Sequence, residues 1–222
     1  MAKLFAVLSY PNSNNLGDFI QSLAARQILG KSEIVELDRD QLHNYQKSPV
    51  FLIMNGWFME LPTNWPPSEK VSPLFLSFHL NPTAKEKMLN HHGLKYLKKH
   101  EPIGCRDYYT KRLLSSFGIK TYYSACLTLC LSRIQYVDKN TKRDGIYVIS
   151  PMERLNPEIS IKDKSFMNSI KQTLKKPLKN YKYQKAIKRL DRFLEKQNEN
   201  IYYSSQLSDP KKYSENERNF QA

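Results

Sequence analysis

At 222 residues and 40% hydrophobic, the chain can bury one substantial core and part of a second, which excludes two full α/β lobes. A net charge of +14 leaves an anionic partner open, although the lysines are spread along the chain rather than gathered into one nucleic-acid motif. Three cysteines without a Cys-x-x-Cys pair exclude a disulfide framework and a zinc knuckle, and they predict reduced, mostly buried thiols and no metal site. Met1–Leu8 is too short for a secretory signal and no run of about 18 apolar residues occurs, so the expectation is a cytoplasmic protein.

Leu4–Ser9 is almost continuously apolar and predicts a central strand of a parallel sheet. After the polar loop Asn12–Asn15, Phe19, Ile20, Leu23 and Ile28 mark one helix face up to Gly30. Such a strand–loop–helix turn offers backbone N–H groups to a ligand, with Gly17 allowing close approach. The Asp18 carboxylate would repel an anion there, so Asn15 and Asp18 are expected to meet a sugar hydroxyl. The alternative for Asp18 is a helix-stabilising acid of the first turn.

Ile34–Leu37 predicts a second strand ending at Asp38, and with no G-x-G-x-x-G in the first turn a nicotinamide cofactor is not expected. Val50–Met54 predicts a third strand leading into a turn at Asn55-Gly56-Trp57-Phe58, which forms either a ligand wall or an aromatic plug. Leu61–Pro73 reads as loop. Leu74–Phe78 predicts the fourth strand, with His79 in the following loop as a structural or a catalytic histidine. Thr83 and Glu86 form a capping box for a helix to about Asn90, and Leu94–Lys98 continues as a helical piece. His91 and His92 are adjacent and so share no helix face for a metal.

Pro102–Cys105 predicts a strand, and Asp107 caps a helix with Tyr109, Leu113, Leu114 and Phe117 on its buried face before Gly118. Ile119–Ser124 is the next strand, and Leu127–Leu131 is expected to pack the far edge. Arg106 and Asp107 then fall at the carboxyl edge of the sheet, where open α/β folds bind ligands. Arg106 there either grips a carboxylate or phosphate, or pairs with Asp107 or Glu101.

Residues 132–144 form a polar linker, and Gly145–Ser150 opens a second, partial lobe extending over residues 145–222. Pro177 predicts short helical pieces before an amphipathic helix at about Tyr181–Lys196. That helix carries Tyr183, Ile187, Leu190 and Leu194 on one side and Lys182, Lys185, Arg189, Arg192 and Lys196 on the other. Lys162–Lys196 contains 12 basic and 3 acidic residues, making either a solvated face or a peripheral contact with an anionic membrane. With Tyr183 on the apolar side, no specific nucleic acid is expected. Ile201–Tyr203 is the last strand, and a charged tail follows Asp209-Pro210.

The block from Pro102-Ile103-Gly104-Cys105-Arg106-Asp107 to Cys126-Leu127-Thr128-Leu129 resembles the signature of the polysaccharide pyruvyl transferase family. Asn15-Leu16-Gly17-Asp18 followed by Gln21, then Asn55-Gly56-Trp57-Phe58, then Phe78-His79-Leu80-Asn81, are similar to further family segments in the same order. The resemblance covers residues 1–150. It implies Rossmann-like lobes in a GT-B arrangement, the first over residues 1–131. It also implies transfer of a pyruvate ketal from phosphoenolpyruvate, a co-substrate rather than a cofactor, to a saccharide of a cell-surface polymer, lipid-linked or free. The implied substrate-binding residues are Asn15, Gly17, Asp18, Asn55, Gly56, Trp57, His79, Arg106 and Asp107, with His79 and Asp18 as catalytic candidates. The family's late Arg-Leu-His motif is replaced here by Arg154-Leu155-Asn156 and Arg189-Leu190-Asp191. The expectation is therefore either a chain truncated relative to the family or a shortened member that binds without catalysing, with no turnover and at most saccharide binding by the first lobe. The alternatives are a nucleotide-sugar glycosyltransferase of similar fold and a non-catalytic binder of an anionic partner through the basic helix.

Overall fold

The computed structural model describes residues 4–30, 33–137, 140, 142, 144–149 and 166–207, with 166–175 described by backbone alone. The chain divides into two compact units, Met1–Lys139 and Asn140–Leu207.

In the first unit, the apolar runs form the strands β1 (Leu4–Ser9), β2 (Ile34–Asp38), β3 (Val50–Phe58), β4 (Val71–Leu80), β5 (Ile103–Cys105) and β6 (Thr121–Tyr123). They make one sheet in the order β2-β1-β3-β4-β5-β6, and every pair is parallel. The helices α1 (Leu16–Leu29), α2 (Lys85–Met88), α3 (His91–Lys99), α4 (Tyr108–Ser116) and α5 (Arg133–Tyr136) flank it. Successive strand residues serve opposite layers. Leu52 and Met54 join a cluster with Leu97 and Leu114, whereas Ile53 and Val7 pack with Ala24, Ala25 and Leu127. This is the mainly parallel, Rossmann-like α/β sheet expected from the sequence.

Several local expectations are corrected. The Asn55–Phe58 segment is not a turn: β3 continues through it, with Gly56, Trp57 and Phe58 in register with Phe78, His79 and Leu80. Asn55 is tolerated inside the strand because its Nδ2 donates to the Gln21 carbonyl at 2.8 Å. Strand β4 likewise starts at Val71 and includes Pro73, because there it pairs only with β3, and β5 joins it no earlier than Phe78. His79 is thus the penultimate residue of a strand rather than a loop residue. Between Met54 and Gly56 the register shifts by one residue, and Ser77 on the bulged side has φ +61°. Its N–H donates to Ser124 Oγ and its hydroxyl to the Ala125 carbonyl, so the bulge is held by the loop after β6.

The Thr83–Glu86 capping box does not form. Asn81 Oδ1 accepts from Thr83 N–H instead, and α2 begins without a side-chain cap. On α4 the buried pair is Thr110 and Leu114, while Tyr109 and Phe117 are exposed, because the Thr110 hydroxyl accepts from Leu80 N–H at the sheet. Leu127–Cys130 is a 3₁₀ turn tied to α1 by Gln27, whose amide donates to the Cys130 carbonyl, and the far edge is β6 instead. Of the cysteines only Cys105 is buried, Cys126 is half-buried and Cys130 is exposed.

In the second unit, β7 (Ile146–Ile149) and β8 (Ile201–Ser204) pair in parallel, as a βαβ connection through α6 (Phe166–Leu194) requires. The short pieces expected around Pro177 are one continuous helix of 29 residues: proline removes one backbone bond without ending it. Tyr183, Ile187, Leu190 and Leu194 are its less exposed side, as expected. Ser150, the expected helical residues before Phe166 and the charged tail after Asp209 lie outside the described residues. No helix among the described residues is long and apolar enough to cross a membrane.

Candidate active site

Because all six strands run parallel, the segments leaving β1, β2, β3, β4 and β5 emerge on one edge of the sheet. Two polar clusters form there.

The first centres on Arg39, which follows β2 and is 2% exposed. Its guanidinium donates to Asp40 Oδ2 at 2.7 and 3.2 Å and to the Trp57 carbonyl at 3.2 Å, and it lies 3.8 Å from Asp18 Oδ2. It also sits over the rings of Tyr10 and Trp57, at 5.1 and 5.5 Å from their centroids. Burial pushes the Asp18 carboxyl up, against the Ser13 hydroxyl, which donates to it at 2.6 Å, and the nearby Arg39 and Arg106 charges. Burial would lower the Arg39 value, but hydrogen bonding and charge from Asp40, with Tyr10 and Asp18, raise it.

The second cluster lies at the ends of β4 and β5. His79 Nδ1 and Asp107 Oδ2 are 2.5 Å apart. Asp107 also caps α4, its Oδ1 accepting from Thr110 N–H at 2.8 Å and its Oδ2 from the Thr110 hydroxyl at 3.0 Å. Burial alone would raise the Asp107 carboxyl, but the hydrogen bonds from His79 and Thr110 hold it below the usual carboxylate range. In its neutral form with Nδ1–H donated to Asp107, His79 presents Nε2 as a proton acceptor, the arrangement of an oriented general base.

Arg106 donates its backbone N–H to the Phe78 carbonyl, and its half-buried guanidinium has no hydrogen-bond or ion-pair partner among the described residues. Neither expected pairing forms: Asp107 is with His79, and Glu101 is with Lys98. Its charge reaches Tyr10, Asp18 and Cys126. Burial would raise the Cys126 thiol, but contacts from Gln21 and Thr128, together with Arg106, bring it below the ordinary thiol range. Cys105, by contrast, is pushed up to about 12 by burial.

The edge therefore gathers Asp18, Trp57, His79, Arg106 and Asp107. Asn15 is at the same edge, but its Oδ1 caps α1 by accepting from Gly17 N–H at 3.0 Å, which also occupies the backbone group that Gly17 was expected to offer. Asn55 and Gly56 are buried inside β3. Asn55 links that strand to α1, and a Cβ on Gly56 would stand 3.2 Å from the Tyr10 hydroxyl. Sequence reasoning missed Arg39 and Cys126. The run Asp38-Arg39-Asp40 at the end of a strand was the available signal for the first, and the second stood within the Cys126-Leu127-Thr128-Leu129 segment with nothing local to set its thiol apart.

No curated protein and no solved structure matches the chain. The family model of polysaccharide pyruvyl transferase matches residues 15–221, nearly the whole sequence, and the chain belongs to that family.

Proposed function

We propose that the carboxyl edge of the first unit binds phosphoenolpyruvate and a saccharide and serves pyruvyl transfer between them. In that reaction two sugar hydroxyls add to C2 of the donor, C3 gains a proton to become a methyl group, and phosphate leaves. The edge supplies two of the groups this needs. Arg106, uncommitted to any other described side chain, holds the carboxylate or phosphate of the donor. His79 Nε2, oriented by Asp107, takes a hydroxyl proton as the oxygen attacks. The observation that carries the reading is the His79–Asp107 pair standing beside an arginine that has no partner among the described residues, within the matched family region.

His79 is favoured over Asp18 as the base because the Asp18 carboxylate is already engaged by Ser13 and Arg39. The nucleotide-sugar alternative would need a phosphate cradle at the start of α1, where the Gly17 N–H is occupied and Asp18 brings negative charge. The decisive measurement is phosphate release from phosphoenolpyruvate by the full chain across a panel of free and lipid-linked sugars. Sugar-dependent release, abolished by Arg106→Ala and reduced about 10²- to 10⁴-fold by His79→Gln, is the expected signature. Release that is equal in both variants and the parent would overturn the assignment.

The replaced Arg-Leu-His motif favours a second reading, in which the edge binds without turnover. Of the two replacements, Arg189-Leu190-Asp191 lies on α6 and Arg154-Leu155-Asn156 lies outside the described residues. Phosphoenolpyruvate binding seen by calorimetry and lost in Arg106→Ala, with no phosphate released for any sugar, would select it.

A further inference from the structure

The second unit presents a surface to which the proposed chemistry of the first unit assigns no role. Past Pro177, α6 carries Lys182, Lys185, Arg189 and Arg192 on its solvent side, all exposed. At 3.6 residues per turn, Leu178, Tyr181 and Phe193 fall within the same arc. They are 57%, 64% and 59% exposed, whereas Tyr183, Ile187, Leu190 and Leu194 on the opposite side are half-buried or buried. The basic face is thus not purely polar: apolar side chains stand out from it at both ends of its basic residues. Lys185 Nζ lies 5.9 Å from the centroid of the exposed Tyr181 ring, so cation and ring share one patch. The acidic residues Asp191 and Glu195 fall outside the arc.

We infer that this face of α6 is a docking surface for an anionic lipid bilayer, on which the helix lies with its axis in the membrane plane. Three properties point to lipid. The charge is uniformly positive over nearly three turns, complementary to an anionic leaflet. The exposed apolar groups include an aliphatic one, Leu178, which offers nothing to a nucleic-acid base but can insert among acyl chains. Aromatic side chains with basic neighbours on one helix face are the composition that holds interfacial helices at the headgroup level. Ordinary solvated faces keep such residues turned inward, and here an inward apolar side already exists and is filled by other residues.

The inference is independent of the chemistry assigned to the first unit. It is tested by co-sedimentation of the full chain with vesicles of phosphatidylcholine alone and of phosphatidylcholine with about one-third phosphatidylglycerol. Binding should be confined to the anionic vesicles and weaken as salt is raised from about 50 to 200 mM. Each basic residue near an anionic surface contributes about 1 kcal/mol, so Lys182→Ala with Arg189→Ala should lower partitioning about 30-fold. Tyr181→Ser with Phe193→Ser, which leaves the charge unchanged, should also lower it, by about tenfold or more. All of these positions are exposed, and an unchanged far-ultraviolet circular dichroism spectrum would certify that the variants remain folded. Equal binding to both kinds of vesicle, an unaltered serine double variant, or tighter binding to random duplex DNA than to anionic vesicles would each overturn the inference.

Discussion

The two parallel sheets of this chain are covered to very different degrees. In the first unit, Ala6, Val7 and Leu8 of β1 and Leu52, Ile53 and Met54 of β3 are all within 1% of complete burial, so both faces are closed. In the second, among the described residues only Val148 and Leu194 are buried hydrophobics, while Tyr147 and Ile149 stand 63% and 61% exposed on the other face of β7. Parallel strands ordinarily occur with both faces covered, because each backbone and side-chain row needs a dry neighbour. The first unit therefore holds its site on a rigid frame, while the second relies on one ladder of two strands. Function that needs fixed geometry belongs on the former, and function that needs an accessible face belongs on the latter.

The largest expected effect tests the frame. Phe78 is fully buried, packs against the rings of Phe58, Trp65 and Phe75, and forms the pairing at which β5 joins β4. Phe78→Ala should cost the first unit about 3–5 kcal/mol, read as a lower denaturant midpoint, and should release His79 and Arg106 together. A loss below about 1 kcal/mol would mean that this layer is not the unit's core.

A smaller and more local effect is expected at Gly145, at the entry to β7. Its φ is +65°, and a Cβ there would stand within 2.2 Å of the Asn200 carbonyl oxygen. Gly145→Ala should thus break the bond from Ile146 N–H to Asn200 and weaken the β7–β8 ladder, by about 1–3 kcal/mol. Hydrogen exchange should then show lost protection in β7 and β8 and unchanged protection in β1 and β3. Equal loss in both sheets would show that the two units unfold together.

The frame was largely legible in the sequence and the site only partly, for reasons of range. Strand β1, helix α1 with its Gly30 stop, and the Asp107 cap of α4 depend on neighbours within a few positions, so their residue types announce them. The continuation of β3 through Asn55 and Gly56 could not be read, because the partner that makes a buried asparagine tolerable is Gln21, 34 positions away. His79 and Asp107 were both singled out, but their pairing spans 28 positions, and only the fold carries β4 through His79 to the cap of α4. Arg39 was not singled out. Its burial depends on Asp18 and the Trp57 carbonyl, which only the fold brings to it.

A subtler expectation concerns acid, and it separates the site from the frame that carries it. Asp107 has a carboxyl held below its ordinary value by His79 and Thr110, so its contribution to stability is present above the unfolded carboxylate pKa of about 3.9 and is lost as pH falls through the depressed folded value. Asp18, Asp38 and Glu60 have the opposite sign: burial raises each, so acidification toward the carboxylate range relieves a cost that the folded first unit bears at neutral pH. The contribution of these three groups should therefore grow as pH falls toward the carboxylate range, whereas that of Asp107 declines below about 4. Asp107→Asn should remove part of the declining limb, leaving a difference from the parent that is present at pH 7 and shrinks below about 4. The effect is small because the Asp107 side chain is 31% exposed and solvent screens its contact with His79. Denaturant titrations of both proteins between pH 3 and 7 measure it. A difference that stays constant across that range would show that Asp107 acts only as the cap of α4, through hydrogen bonds an asparagine can partly replace, and not as the charged partner that orients His79.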